Sequence, residues 1–313
     1  MIHIKAPFPY FGGKSAVAHL VWEAIGNPSH YIEPFFGSGA VLLNRPGWDP
    51  NMLETVNDKD GFLCNVWRSL KFSPKETAEW CDWPVNHADL MARKSKLIEN
   101  EDRLLENLIK DDQWHDPKMG GYWIWAASCW IGSGLTRPGA RPHLGDRGKG
   151  INAGQKPHLS YRGNGINAGI NPNIYQWFNE LQARLRYVRV VCGDWSRVCG
   201  GNWQDNIGTV GIFFDPPYGT EVRNKTLYHH ESQTVSLEVE KWCLERGGRP
   251  SYRIVCAGYE GEYLSLIEAG WKVIRWKACG GYSNASRSGK ENNNRKLERL
   301  FISPHCGGQT SLC

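Results

Sequence analysis

Paired cysteines are what this sequence most clearly lacks. Ten cysteines are scattered along 313 residues without a single C-x-x-C spacing, the arrangement that dithiol redox centres and most structural zinc sites use. The closest pairs, Cys192 with Cys199 and Cys306 with Cys313, have no further ligand set nearby beyond His305. Reduced thiols in core or tail positions are expected, and no metal. Long apolar runs are missing as well. The longest, Tyr122 to Ile131, falls far short of the ~18 residues that a membrane-spanning helix needs, and Met1 to Pro7 has no apolar stretch of the kind that directs secretion. The expectation is a cytoplasmic protein with no membrane association. Two phosphate-binding signatures are also absent: there is no G-x-x-x-x-G-K-[ST] and no complete G-x-G-x-x-G, which argues against ATP or a dinucleotide as ligand.

What is present suffices for a packed core. Hydrophobic residues make up 41% and charged residues 22%, and 35.4 kDa suits one large domain carrying an insertion, or two modest ones. The net charge of +5 is concentrated in one place. Between Arg137 and Arg162, six basic residues (Arg137, Arg141, Arg147, Lys149, Lys156 and Arg162) stand against one acid, Asp146, while the rest of the chain balances at 31 basic and 31 acidic residues. A local basic tract in a neutral chain has the form of a polyanion contact. The same tract contains a repeat. Residues 142–156 recur as 157–171, each copy opening Pro-His-Leu and carrying one Arg before Gly-Ile-Asn-Ala-Gly. Two copies are too few for a solenoid, so they are read as two similar loops along a groove.

Periodicity places elements around these features. Val17, Leu20, Val21, Ala24 and Ile25 share one face of a helix over 14–25, opened by Ser15 and closed by Gly26. Tyr31 to Phe35 reads as a strand running into a glycine turn, Met52 to Asn57 as a second strand ending at Asp58, and 60–70 as a helix. That order opens a parallel α/β unit. From 72 to 110 the sequence is helical and charged. A Trp-rich helix follows at 122–130, with Trp123, Trp125 and Trp130 expected in the core, and another helix begins at Ile174. Strands at 187–192, 209–214 and 252–257 and helices at 232–246 and 260–269 restore the α/β pattern, which paired strands at 271–277 and 297–303 complete. The expected fold is therefore an α/β sheet domain, 1–71 with 187–313, interrupted by a mainly helical insertion, 72–186.

Three short segments carry chemistry. Phe213-Phe214-Asp215-Pro216-Pro217-Tyr218 is an apolar strand delivering an acid, two prolines and an aromatic to its carboxyl end, where ligands bind in open α/β sheets. The prolines remove two N–H groups and leave carbonyls free to accept. An acid and a bare carbonyl beside an aromatic face suit a planar exocyclic amine. Glu33-Pro34-Phe35-Phe36-Gly37-Ser38-Gly39 is a glycine turn after the first strand, and Asp58 follows Gly37 by 21 residues, the separation at which an acid on the next strand reaches ribose hydroxyls. An adenosyl ligand without pyrophosphate fits this pair. The third segment is Pro7-Phe8-Pro9-Tyr10-Phe11-Gly12-Gly13-Lys14 near the N-terminus.

In this order the three segments resemble the DNA adenine-N6 methyltransferases of the Dam-like, alpha-ordered type, and the resemblance covers nearly the whole chain. Gly193-Asp194-Trp195 is similar to that family's acid-aromatic step beside the cofactor adenine, and Glu298 to Pro304 to its final strand. The resemblance implies a Rossmann-like sheet that binds S-adenosyl-L-methionine, an inserted target-recognition domain, and site-specific methylation of adenine N6 in double-stranded DNA after base flipping. It assigns the cofactor to Tyr10, Lys14, Glu33, Pro34, Phe35, Phe36, Gly37, Ser38, Gly39, Asp58, Asp194, Trp195 and Asp215. It assigns catalysis to Asp215, Pro216, Pro217 and Tyr218. The basic tract is then the DNA contact. Amino methylation of cytosine N4 or of an RNA base would use the same acceptors, although Asp215 stands where cytosine-N4 enzymes usually carry Ser. A catalytically silent nucleic-acid-binding protein of the same fold is the reading from another class. His229 and His230, and the polar tract 280–296, are open between a nucleic-acid contact and a plain loop. The recognised site, a restriction partner and the oligomeric state are not encoded in any motif.

Overall fold

A computed structural model describes residues 4–10, 12–130, 134–140, 173–201, 208–217, 228–276 and 298–307, with only the backbone of 228–233. In chain order the elements are α1 (Ala18–Ile25), β1 (His30–Glu33), α2 (Ala40–Leu43), β2 (Leu53–Asp58), α3 (Gly61–Phe72), α4 (Pro74–Cys81), α5 (His87–Glu99), α6 (Glu101–Lys110), α7 (Pro117–Cys129), α8 (Ile174–Leu185), β3 (Arg189–Cys192), α9 (Ser196–Cys199), β4 (Val210–Phe214), α10 (Tyr228–Arg246), β5 (Tyr252–Tyr259), α11 (Leu264–Glu268), β6 (Lys272–Arg275) and β7 (Glu298–Ile302). The seven strands form one sheet in the order β3-β2-β1-β4-β5-β7-β6. Strand β1 is parallel to both β2 and β4, and β4 is parallel to β5. Strand β7 runs antiparallel to β5 and β6. This is the Rossmann-like mixed sheet expected from the sequence.

The chain divides into two compact units, Met1–Tyr10 with Asn57–Asp194, and Phe11–Val56 with Trp195–Cys313. The boundary falls inside β2. In the second unit β4 is buried at every position, as a central parallel strand covered on both faces must be. Gly211 within it has no room for a side chain: an added Cβ would stand 2.7 Å from the Pro28 ring. Helix α1 is shorter than expected. It starts at Ala18 with no side-chain cap, because 14–17 form a turn closed by Val17 N–H donating to the Lys14 carbonyl at 3.1 Å. Its end at Gly26, with φ 72°, is where the sequence placed it.

In the first unit α7 packs on α3, α4 and α5, and Trp123, Trp125 and Trp130 are buried, so the Trp-rich helix serves as core. Asp60 caps α3 by accepting from the backbone of Phe62 and Leu63 at 2.8 and 3.2 Å. The buried Arg68 guanidinium then ties α3 to β3 and to the end of α6, donating to the carbonyls of Val190 at 3.0 Å and Asp111 at 2.7 Å. Buried Lys94 on α5 donates to the carbonyls of Leu135 and Arg137, the latter at 2.7 Å, and so anchors the 134–140 segment. The eight described cysteines are buried free thiols.

Candidate active site

In the second unit the turn after β1 and the carboxyl end of β4 are neighbours because their strands pair directly, Ile32 opposite Ile212. The turn needs two left-handed backbones, and glycine supplies both, Gly37 at φ 47° and Gly39 at φ 62°. Asp215 leaves β4 one-fifth exposed and forms an ion pair with the buried Lys14 ammonium at 2.9 Å. Lys14 also donates to the Gly12 carbonyl at 3.0 Å, so two acceptors hold the ammonium in place. Pro216 is buried and Pro217 exposed. Phe35 stacks on Trp195 with ring centroids 6.4 Å apart and planes inclined by 28°, and Phe214 and Trp195 meet edge to face with centroids 5.8 Å apart. The Trp195 indole N–H is buried with no hydrogen-bond partner among the described residues.

Glu33 and Phe36 are buried in the same unit. One carboxylate oxygen of Glu33 accepts from the Tyr31 hydroxyl at 3.0 Å and from the Leu42 backbone N–H at 3.2 Å. Burial pushes the Glu33 carboxyl well above the ordinary carboxylate range, against the pull of those two hydrogen bonds, and the charge of Asp215 pushes the same way as burial. Glu298 is a carboxyl at this site that motif reading passed over. Strand β7 is antiparallel, so its first residue lies at the end of β5, Glu298 opposite Tyr259, at the sheet end where the parallel strands finish. Burial raises its affinity for a proton, Lys14 lowers it and Asp215 raises it again. An acid at the start of a strand has no motif of its own, and only the strand direction could have revealed it.

In the first unit Asp58 ends β2 and one of its carboxylate oxygens accepts from Asp60 N–H at 2.9 Å. The Asp58 carbonyl accepts from Gly193 N–H at 2.9 Å, and the Asn57 side chain donates to the Gly193 carbonyl at 3.0 Å. These bonds bring Asp58 and the Gly193-Asp194 step together across two strand ends. Tyr10 lies on an aromatic cluster, its ring 6.5 Å from that of Phe8, which itself packs against Trp67 and Trp123. Of the basic tract only Arg137 is described, and it is exposed. Arg141, Arg147, Lys149, Lys156 and Arg162 lie outside the described residues, as do both repeat copies, Tyr218 and the 280–296 tract, and the side chains of His229 and His230.

Residues 10–117 match the family model of the D12 class N6 adenine-specific DNA methyltransferases. That match, over about a third of the chain, supports the adenine-N6 DNA methyltransferase family. The match includes Tyr10, Lys14, the 33–39 turn and Asp58, while Asp194, Trp195 and the 215–218 segment follow it in the chain. No curated protein matches the chain. The methyltransferase therefore acts on DNA at adenine N6, and the reaction calls for a methyl donor. Among the described residues no helix is long and apolar enough to cross a membrane, and no three His, Cys, Asp or Glu side chains are grouped to hold a metal ion.

Proposed function

We propose that the methyl donor is S-adenosyl-L-methionine, and that Asp215 with the Pro216 carbonyl receives the amine of an adenine flipped out of double-stranded DNA. The observation that carries this reading is the ion pair between Lys14 and Asp215 at 2.9 Å. It fixes the orientation of a carboxylate at the end of the central strand, beside the glycine turn. Residues of the second unit fit an adenosyl ligand: a glycine turn lets backbone approach closely, and the Phe35 and Trp195 rings offer an apolar wall whose indole N–H has no partner among the described residues; the family resemblance adds the Asp58 and Asp194 carboxylates for ribose and adenine. Tyr10, Lys14 and residues 34–39 would line the methionine end. When bound there, S-adenosyl-L-methionine supplies an electrophilic methyl group on a positively charged sulfur.

The amine nitrogen of adenine is a poor nucleophile because its lone pair is conjugated into the ring. Two acceptors, the Asp215 carboxylate and the Pro216 carbonyl, would each accept a hydrogen bond from one amine N–H, favouring a pyramidal nitrogen with its lone pair released for attack. Neither proline carries an N–H, so this strand end presents carbonyls as acceptors and no backbone donor at 216 or 217. Tyr218 would stack on the flipped base, which must leave the duplex stack before it can reach any pocket. The 72–186 insertion, with Arg137, Arg141, Arg147, Lys149, Lys156 and Arg162, would hold the DNA.

Asp215→Ala tests the assignment. Turnover per folded molecule is expected to fall by about 10²-fold or more, the usual cost of removing one preorganised electrostatic interaction, and a variant keeping more than about a tenth of wild-type turnover would sink it. The variant should also melt at a lower temperature, because buried Lys14 loses that partner.

A further inference from the structure

Helix α2 is preceded at its N-cap by Gly39, a left-handed residue with no side chain to cap the helix. The first N–H groups of any helix need acceptors from outside it. Here the acceptor comes from the far side of the turn. Glu33 ends β1, and its carboxylate accepts the N–H of Leu42, the third residue of α2, at 3.2 Å. The same oxygen accepts the Tyr31 hydroxyl at 3.0 Å. Glu33 is 3% exposed and Tyr31 0%, so neither bond competes with water. The turn 34–39 is thus held at both ends by one residue, covalently where it leaves β1 and by hydrogen bond where it enters α2. A loop restrained in this way gives up its freedom before a ligand arrives, and binding need not supply that cost.

Resting on the reading that this turn receives S-adenosyl-L-methionine, we infer that Glu33 is a positioning residue whose carboxyl preorganises the turn from within the core, and not a counter-charge for the donor's ammonium group. A counter-charge would have to be ionised and directed at the ligand. The hydrogen-bonded oxygen of Glu33 is committed to two core groups, and burial together with Asp215 favours the neutral acid. A neutral acid caps as an acceptor does, and an amide can do the same. The two roles therefore respond differently to removing charge and to removing the acceptor.

The test compares S-adenosyl-L-methionine binding by calorimetry, and kinetics on unmethylated plasmid DNA, for wild type, Glu33→Gln, Glu33→Ala and Gly39→Val. Glu33→Gln should bind within about threefold of wild type. Glu33→Ala should bind about tenfold more weakly or worse, as expected when two buried donors lose this shared acceptor. Its KM for the donor should rise while kcat at saturation stays within about threefold. If Glu33→Gln loses as much affinity as Glu33→Ala, the charge matters and the inference is overturned; it is overturned equally if Glu33→Ala binds like wild type. Should Glu33→Ala fail to fold, Glu33→Gln alone decides, by affinity kept or lost. Gly39→Val, which forces a β-branched residue to φ 62°, tests the underlying reading separately: unchanged affinity there would remove the turn from the donor site, whatever Glu33 does.

Discussion

At the scale of single residues, the three carboxyls of the candidate site, Asp215, Glu33 and Glu298, are not equivalent. Asp215 pairs directly with Lys14, Glu33 is turned into the core, and Glu298 is half-buried with its proton affinity raised by burial and by Asp215. That last shift has a consequence for stability. A carboxyl that holds its proton more tightly in the folded state than in the unfolded chain stabilises the fold at low pH, and the contribution is lost as pH rises from the ordinary value of 4.5 through the raised one. Glu298→Gln cannot ionise, so its melting temperature should decline less than that of wild type over that window. Thermal melts of both proteins from about pH 4 to about pH 8 measure this, and parallel curves would refute it.

Elements meet closely where glycine lets them. In α7 an added Cβ on Gly120 would stand 2.9 Å from the Ser69 hydroxyl of α3, and one on Gly121 would meet the Thr77 carbonyl at 2.8 Å and the Trp80 Cβ of α4. Alanine is worth about 1 kcal/mol more than glycine in a helix interior, but the carbonyl is backbone and cannot turn aside. Overpacking of this kind costs about 1–3 kcal/mol. The clash should win for Gly121→Ala, with a net loss of up to about 2 kcal/mol in urea unfolding, and a variant more stable than wild type would show that α4 and α7 can separate freely. Direction matters as much as distance at this scale. The antiparallel course of β7 brings Glu298, and not the opposite end of the strand, to the carboxyl end of β5. The short α2 and α9 escape a periodicity reading because four residues do not complete enough turns to show a face.

For the whole molecule, the question is how a chain of modest net charge holds DNA. The charge is local, and the segment that begins the tract is anchored, since Lys94 of α5 binds the carbonyls of Leu135 and Arg137. If the tract lies on phosphates, replacing Lys149 and Lys156 with Ala should weaken binding to every DNA sequence, and the slope of log affinity against log salt should fall by about 0.9 for each phosphate no longer neutralised. Filter-binding titrations at several salt concentrations read this directly. An unchanged slope would take both lysines off the backbone. Replacing Arg147 or Arg162 is expected to behave differently for at least one of the two. Removing an Arg that pairs in bidentate fashion with guanine costs about 1–3 kcal/mol on the cognate sequence alone.

The sequence alone carried the fold class and the order of the chemistry. A buried parallel strand announces itself by an unbroken apolar run, as Val210 to Phe214 does, and a glycine pair or a double proline has few conformations open to it. These are local constraints, and local constraints survive being read one segment at a time. What needed tertiary structure was every property that depends on a second chain segment: Lys14 bound to Asp215, 201 residues away in sequence; Glu298 brought in by strand direction; and the Glu33 side chain turned from the turn it introduces toward Tyr31 and Leu42. Motif spacing records which residues stand near a strand end. Which way a buried carboxyl points is decided by the hydrogen-bond donors that packing delivers to it, and those come from elsewhere in the fold.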